Sequence, residues 1–348
     1  MRREIELGRL GLLPMYARCE WLMKSKVYVT RLLPKPAMDR INSYCEAKTW
    51  DGELPPTRDV ILRNIVEVDG LLSLLTDKID AELMDGASRL KVISNYAVGF
   101  DNIDIQAATK RGIIVTNTPG VLTETTADFT FAMMMAAARR LVEGDKIVRA
   151  GKWKTWGPMI LLGQDVHAAT LGILGLGRIG AAVARRAKGF GMKIQYYDVV
   201  RNERAEQELG IQYADLDKIL TESDFITLHT NLTPQTHHLI GAKQFEKMKR
   251  NCILVNTSRG PIVDNMALYE ALRNGKIAYA ALDVTEPEPI PKDHPLVTLD
   301  NVIIVPHIAS ASVATRTKMA LMAADNLIAG LKGEMPSNPV NPEVLEKH

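Results

Sequence analysis

Residues Leu171–Gly180 read LGILGLGRIG, and the Ala-rich segment AAVARRAKGFG follows. An apolar run thus leads through a glycine-rich turn into a helix-forming stretch. Gly175, Gly177 and Gly180 fit the pattern G-x-G-x-x-G. In a strand–turn–helix setting the first glycine makes the tight turn, the second lets a pyrophosphate approach the backbone, and the third permits close helix–strand packing. The helix N-terminus then offers free N–H groups and a positive dipole end to the phosphates. The same glycines also suit a plain tight corner, so the reading depends on what lies downstream. The next apolar run, KIQYYD, ends in Asp198, 18 residues past Gly180. An acid there accepts hydrogen bonds from the adenosine ribose hydroxyls and repels a 2′-phosphate. Turn and acid together point to a dinucleotide site. NAD(H) is favoured, and NADP(H) stays open because Arg201 lies close by.

Outward from this turn, short β-rich runs alternate with helix-like segments. DFITLHT from Asp224, CILVNTS from Cys252, AYAALDV from Ala278 and VIIVPH from Val302 complete a set of six strands with LGILGLG and KIQYYD. Six is the number expected of a full dinucleotide-binding domain. Upstream lies a smaller set of four: VYVT from Val27, GLLSLL from Gly70, KVISNY from Lys91 and GIIVTN from Gly112. These runs are nearly continuous in apolar residues, as in strands buried on both faces of a parallel sheet. The expected fold class is α/β, with two doubly wound parallel-sheet domains. Residues 120–307 form the Rossmann-type cofactor domain. Residues 24–119 and 308–348 form a discontinuous substrate domain, to which the last helix (RTKMALMAADNLIAGLKG, ending at Gly333) returns. Residues 1–23 are read as a disordered extension, with Met23 as a second possible start. The segment TETTADFTFAMMMAAARRLVEGDKIVRAG from Thr123 reads as one helix, apolar over a wide face, suited to a core or to a subunit interface. The stretch after it carries Trp153 and Trp156 and reads as an excursion that could reach a partner subunit.

Composition narrows the function classes. The 43 Lys+Arg and 41 Asp+Glu leave a net charge of +2, too small to argue for nucleic acid or a membrane surface. The three cysteines (Cys19, Cys45, Cys252) are far apart and form no CxxC, so neither a disulfide framework nor a metal site is expected and a reducing cytoplasm fits.

Three residues after later strands could do chemistry: Arg259 in VNTSRGPIVD, Glu288 in ALDVTEPEP and His307 in IIVPHIASAS. All follow the carboxyl ends of strands, where open parallel sheets bind ligands. Reduction of a 2-keto acid needs a cation for the carboxylate, a proton donor at the keto oxygen, and a group that holds the donor charged. Arginine matches a carboxylate with its planar fork, histidine titrates near neutrality, and a carboxylate stabilises and orients imidazolium. Asp283, near the same strand end as Glu288, could hold the nicotinamide amide or cap the following turn. The remaining histidines, His229, His237 and His238 among them, read as structural or exposed.

The motifs NYAVGFDNID from Asn95, NTPGVLTETTAD from Asn117, LGILGLGRIG, VNTSRGPIVD, ALDVTEPEP and PHIASAS from Pro306 occur in this order. With them the chain resembles the D-isomer-specific 2-hydroxyacid dehydrogenases from about Lys26 to Pro342, most of all the glyoxylate/hydroxypyruvate reductase branch. The resemblance implies Arg259, Glu288 and His307 as catalytic residues. It implies that the Val98 and Gly99 amides hold the substrate carboxylate and that Leu75 lines the pocket. It implies cofactor contacts from Thr126, Arg178, Ile179, Asp198, Thr257 and Asp283. It further implies a flavodoxin-like substrate domain, a cleft that closes between the two domains, and a homodimer built on the helix after Thr123. D-3-phosphoglycerate or D-lactate-type activity, and a non-enzymatic NAD-sensing role like that of corepressors sharing the fold, are the alternatives. The sequence departs from the family pattern in three places. Asp198 is present although many reductases of the branch prefer NADPH and lack it, Asn231 replaces a proline, and Ala309 replaces a glycine.

Overall fold

The structure, a computed structural model, describes residues 24–346. The expected extension at residues 1–23 lies outside them, as does Cys19. Two compact units result: residues up to Thr118 with those from Met319 on, and Pro119–Lys318.

The first unit is a five-stranded sheet, all parallel, of β1 (Ser25–Val29), β2 (Cys45–Thr49), β3 (Gly70–Ser73), β4 (Val92–Asn95) and β5 (Ile114–Thr116). Its order is β2-β1-β3-β4-β5, the flavodoxin-like order. The register aligns Val27, Gly70, Val92 and Ile114. Four strands are expected from the sequence and five are present. The additional strand, β2, is CEAKT at the sheet edge, buried only at Cys45, so it carries no apolar run to mark it. From the last helix (Val313–Leu331), Leu327 packs over Gly70 and Ala323 O accepts a hydrogen bond from Ser94 Oγ (2.8 Å). Asn341 closes the tail onto β5, accepting from Val115 N (2.7 Å) and donating to Ile113 O (2.9 Å).

The second unit is a seven-stranded parallel sheet: β6 (Thr170–Leu174), β7 (Lys193–Tyr197), β8 (Gln212–Tyr213), β9 (Phe225–Leu228), β10 (Ile253–Asn256), β11 (Tyr279–Leu282) and β12 (Val302–Ile304). The order β12-β11-β10-β9-β6-β7-β8 reverses direction between β6 and β9, as in the doubly wound dinucleotide fold. Alternate residues of each strand enter two cores, one on each sheet face. Phe225, Ile253, Val255 and Ala281 face one; Ile226, Leu254, Ala280 and Leu282 face the other. Both faces are covered, which is why the strands read as continuous apolar runs. The sequence reading misses β8, which has two residues, both exposed.

The segment from Thr123 forms two helices rather than one: Thr123–Ala138 and Leu141–Arg149. The break falls at Arg140, whose φ of 51° is left-handed, and Arg140 pairs with Glu143 on the new helix. Phe131, Met134, Ala137 and Ala138 of the first helix join the core with Ala182 and Val183, so it is a core helix of this unit. The second passage between units comes at Met319, not at residue 308. Ile308 and Ala309 are held by Asp283, and the Thr315 hydroxyl by that of Thr125, all within Pro119–Lys318. Among the described residues no helix is long and apolar enough to cross a membrane.

Candidate active site

The glycine turn links β6 to the helix Arg178–Gly189. Gly175 has φ of 93°, a left-handed conformation that L side chains rarely adopt, and a Cβ there would lie 2.8 Å from the carbonyl of His229. A Cβ on Gly180 would lie 2.2 Å from Gly175 O, so helix and strand pack too closely for any side chain. A Cβ on Gly177 would meet nothing within 4 Å. The first and third glycines are thus demanded by the protein's own packing. At the second the backbone faces open space, room that a pyrophosphate needs. No side chain caps this helix start, which leaves its N–H groups for an anion. Arg178 is exposed and Ile179 half-buried at its first turn. These residues fit a dinucleotide.

Asp198 follows β7 and, with Leu176, Val200, Arg201, Asn202 and Glu203, lines a surface pocket. Its Oδ2 accepts from Leu176 N (2.7 Å), which aims the carboxylate at the turn and leaves Oδ1 for a ribose hydroxyl. Arg201 is tied to Glu206 by two bonds of 2.8 Å. Tyr196 also donates to Glu206 (2.8 Å). The Arg201 guanidinium and this hydroxyl hold the Glu206 carboxyl down at about 2, while burial and Glu206 push the Tyr196 phenol up to about 12.

Three loops at the carboxyl ends of neighbouring strands carry the reactive groups. Arg259 lies three residues past β10, its backbone carbonyl held by Asn256 Nδ2 (2.8 Å) and its Nη1 donating to Ser258 O (2.9 Å). His307 follows β12 with φ of 53°, and its Nδ1 is 2.7 Å from Glu288 Oε1 in the loop after β11. The Glu288 contact at Nδ1 leaves Nε2 on the far side of the ring. Asp283 accepts from Ile308 N (2.7 Å) and Ala309 N (2.9 Å), and its backbone carbonyl takes His307 N–H (2.9 Å). It therefore caps the turn after β12 rather than the one after its own strand, and it clamps the two residues that follow His307. Burial raises its carboxyl pKa despite these two N–H donors. The third site on this sheet end is a threonine chain. Thr130 donates to Thr126 O (2.8 Å) and shares a hydrogen bond with Thr257 (2.8 Å).

In the first unit, Leu75 follows β3, and Val98 and Gly99 follow the adjacent β4. Thr118 N donates to Ala97 O (2.8 Å) and Asn117 Nδ2 to Val98 O (2.7 Å), which fixes the two peptide planes that carry the Val98 and Gly99 N–H groups, and Asn95 Nδ2 donates to Gly99 O (3.0 Å). The Val98 and Gly99 N–H groups donate to nothing else among the described residues, and successive free amides make an anion-binding concavity. Asn102 Nδ2 bridges Leu74 O (3.1 Å) and Asp77 O (2.9 Å), while Asp77 Oδ2 accepts from Leu74 N (2.8 Å). Sequence reasoning missed these supporting residues. The one available signal is the crowding of Asn and Asp around the two strand ends. His229, read as structural or exposed, has both ring nitrogens buried without a hydrogen-bond partner among the described residues, and burial drives its pKa down to about 3.

A Rossmann-type sheet with this turn, a ribose acid, and a paired histidine and glutamate defines a nicotinamide-dependent oxidoreductase. Comparison with known proteins refines the class. Residues 131–309 match the family model "D-isomer specific 2-hydroxyacid dehydrogenase, NAD binding domain". The chain is 58% identical over 325 residues to the glyoxylate reductase of Korarchaeum cryptofilum, covering 93% of this chain and 98% of that protein. It is 52% identical over 327 residues to the glyoxylate reductase of Thermococcus litoralis, covering 93% and 98%. Among solved structures, the TT0316 protein of Thermus thermophilus is 47% identical with a TM-score of 0.86, covering 90% of this chain and 99% of that one. The NADPH-dependent glyoxylate/hydroxypyruvate reductase of Sinorhizobium meliloti, solved with NADP and malonate, is 33% identical with a TM-score of 0.80, covering 92% and 97%. The chain belongs to the D-isomer-specific 2-hydroxyacid dehydrogenase family, and it is an NAD(P)-dependent oxidoreductase that reduces a 2-keto acid to a 2-hydroxy acid.

Proposed function

We propose that this enzyme reduces glyoxylate, with hydroxypyruvate as a second substrate, and that it prefers NADH. The observation that carries the chemistry is the 2.7 Å contact between His307 Nδ1 and Glu288. The names of the relatives at 58% and 52% identity support the choice of glyoxylate. When bound, the nicotinamide supplies the hydride. His307 Nε2 gives its proton to the keto oxygen, and Glu288 stabilises and orients the imidazolium before the transfer. Arg259 engages the carboxylate and polarises the carbonyl. In the first unit the free Val98 and Gly99 amides suit a carboxylate, and Leu75 follows the neighbouring strand. Thr126, Thr257 and Asp283 serve the nicotinamide half; Gly175, Gly177, Arg178, Ile179 and Gly180 serve the pyrophosphate. Asp198 selects NADH, and Arg201 is spent on Glu206, which supports this preference over NADPH.

Oxidation of NADH and NADPH with glyoxylate, hydroxypyruvate and pyruvate tests the assignment. Fast turnover of glyoxylate with NADH is expected. His307→Gln should lower kcat by about 10²- to 10⁴-fold, the worth of a positioned proton donor. Near-normal turnover in that variant would remove His307 from the mechanism. Tight NADH binding without turnover of any keto acid would move the protein to a sensing role.

The protein acts as a homodimer in this reading, in a reducing cytoplasm. Leu141, Val148, Trp153, Trp156, Met159 and Leu162 all expose apolar side chains after the core helix, Trp156 at 78% and Met159 at 76%. Exposed large apolar side chains gathered in one stretch of chain support an interaction surface there. Light scattering should give twice the 38.5 kDa chain mass, and Trp156→Glu with Met159→Glu should yield monomers. A wild-type monomer would end the proposal.

A further inference from the structure

Outside the reaction site, one cluster brings metal-ligating side chains together. His237 and His238 lie in the loop after β9, and Glu286 lies in the loop after β11. One donor atom from each falls within 4.8 Å of the other two. His238 Nε2 is 2.7 Å from Glu286 Oε2, and His237 Nε2 is 3.6 Å from Glu286 Oε1.

Adjacent residues in extended chain point to opposite sides. These two do not, because His238 has φ of 50°. The left-handed backbone turns its ring onto that of His237, and the two stack at 4.0 Å between centroids. Both Nε2 atoms therefore meet one carboxylate. The backbones beneath them are also fixed. His238 N–H donates to Pro261 O (2.7 Å), and Glu286 O accepts from Asn265 Nδ2 (2.7 Å). Both loops are thus pinned to the single segment that follows β10. The donors are assembled before any ion arrives, and both histidines are exposed enough for one to enter.

We propose that His237, His238 and Glu286 bind a divalent transition-metal ion of the zinc, cobalt or nickel kind. Two imidazoles and one carboxylate are the donors such ions take, and hard ions such as calcium or magnesium prefer all-oxygen sets. With metal–ligand bonds of about 2.0–2.1 Å, a tetrahedral site separates its donors by about 3.3–3.4 Å. His237 Nε2 lies 3.6 Å from Oε1 and His238 Nε2 2.7 Å from Oε2, so a small turn of the carboxylate brings one oxygen to that spacing from both rings when the ion replaces the proton shared with His238. Three protein ligands leave the fourth position to water. The ion is not required for the reduction proposed above, so the two readings fail separately.

The test is titration of the tag-free, full-length chain with zinc chloride by calorimetry, and with cobalt chloride by visible absorption. One equivalent of zinc should bind, and cobalt should show the intense bands of a tetrahedral site. His237→Ala and Glu286→Gln should each weaken zinc binding at least tenfold. No binding of zinc, or binding that survives both substitutions, overturns the proposal. Loss in His237→Ala alone overturns the three-donor site. If His237→Ala does not fold, Glu286→Gln decides the matter by itself.

Discussion

Asp198 and Arg201 stand three residues apart and carry opposite preferences for the cofactor's 2′ position. Their partners decide between them. Asp198 uses one oxygen on Leu176 N–H and keeps the other, whereas Arg201 is held by both oxygens of Glu206. Asp198→Ala should therefore lower kcat/KM with NADH at least tenfold, equivalent to about 1.4 kcal/mol, the scale of one hydrogen bond to a charged group. NADPH should gain in that variant, because the carboxylate that repels its 2′-phosphate is gone. Adding Glu206→Gln should raise kcat/KM with NADPH, because Arg201 then reaches a phosphate. Steady-state kinetics with both cofactors reads this directly, and no further gain with NADPH on adding Glu206→Gln would show that Glu206 does not restrain Arg201. Asp198 was legible from its distance to Gly180. The restraint on Arg201 was not, because a neighbour five positions on, Glu206, competes with solvent for it only once the helix Glu203–Leu209 has formed.

At the scale of elements, apolar runs marked every strand that is buried on both faces. They failed at β2 and β8, one edge strand of each sheet, where CEAKT and QY carry no run because most of their side chains meet solvent. The break between Ala138 and Leu141 was equally hidden, since Arg139 and Arg140 are good helix formers and only a left-handed Arg140 ends the helix. The turns after β3 and β4 show what such irregular segments rest on. Asn102 holds two carbonyls of the Leu74–Asp77 turn, Asn117 orients the peptide that carries the Gly99 N–H, and Asn95 holds the Gly99 carbonyl. Asn102→Ala leaves Leu74 O and Asp77 O without that donor. It should lower stability by about 1–3 kcal/mol and raise KM for the keto acid more than it lowers kcat. Denaturant unfolding and kinetics on the same variant check both. An unchanged KM would separate this network from substrate binding.

For the molecule as a whole, His229 links folding to pH. Its pKa is about 3 in the folded chain against an ordinary 6.5, because both ring nitrogens are buried without a partner. Between these values the unfolded chain binds a proton that the folded chain refuses. Its contribution to stability is complete above pH 6.5 and falls as the pH drops toward 3, by at most about 1.4 kcal/mol per pH unit. His229→Gln should flatten the acid limb of a stability–pH profile relative to the wild type and leave the neutral region little changed in slope. Identical slopes would show that His229 takes up its proton in the folded state.

The sequence by itself determined the α/β class and the glycine turn, and it marked the candidate ribose acid and the three candidate reactive residues. Each is written in local order: a run, a turn and a side chain within a few positions, which short-range sterics and burial on two faces enforce. Only the tertiary structure decided which side chains meet. Glu288 reaches His307 across 19 residues, and Glu286 reaches His238 across 48. Parallel strands bring such distant loops to one sheet end, and no local pattern encodes a contact made by that packing.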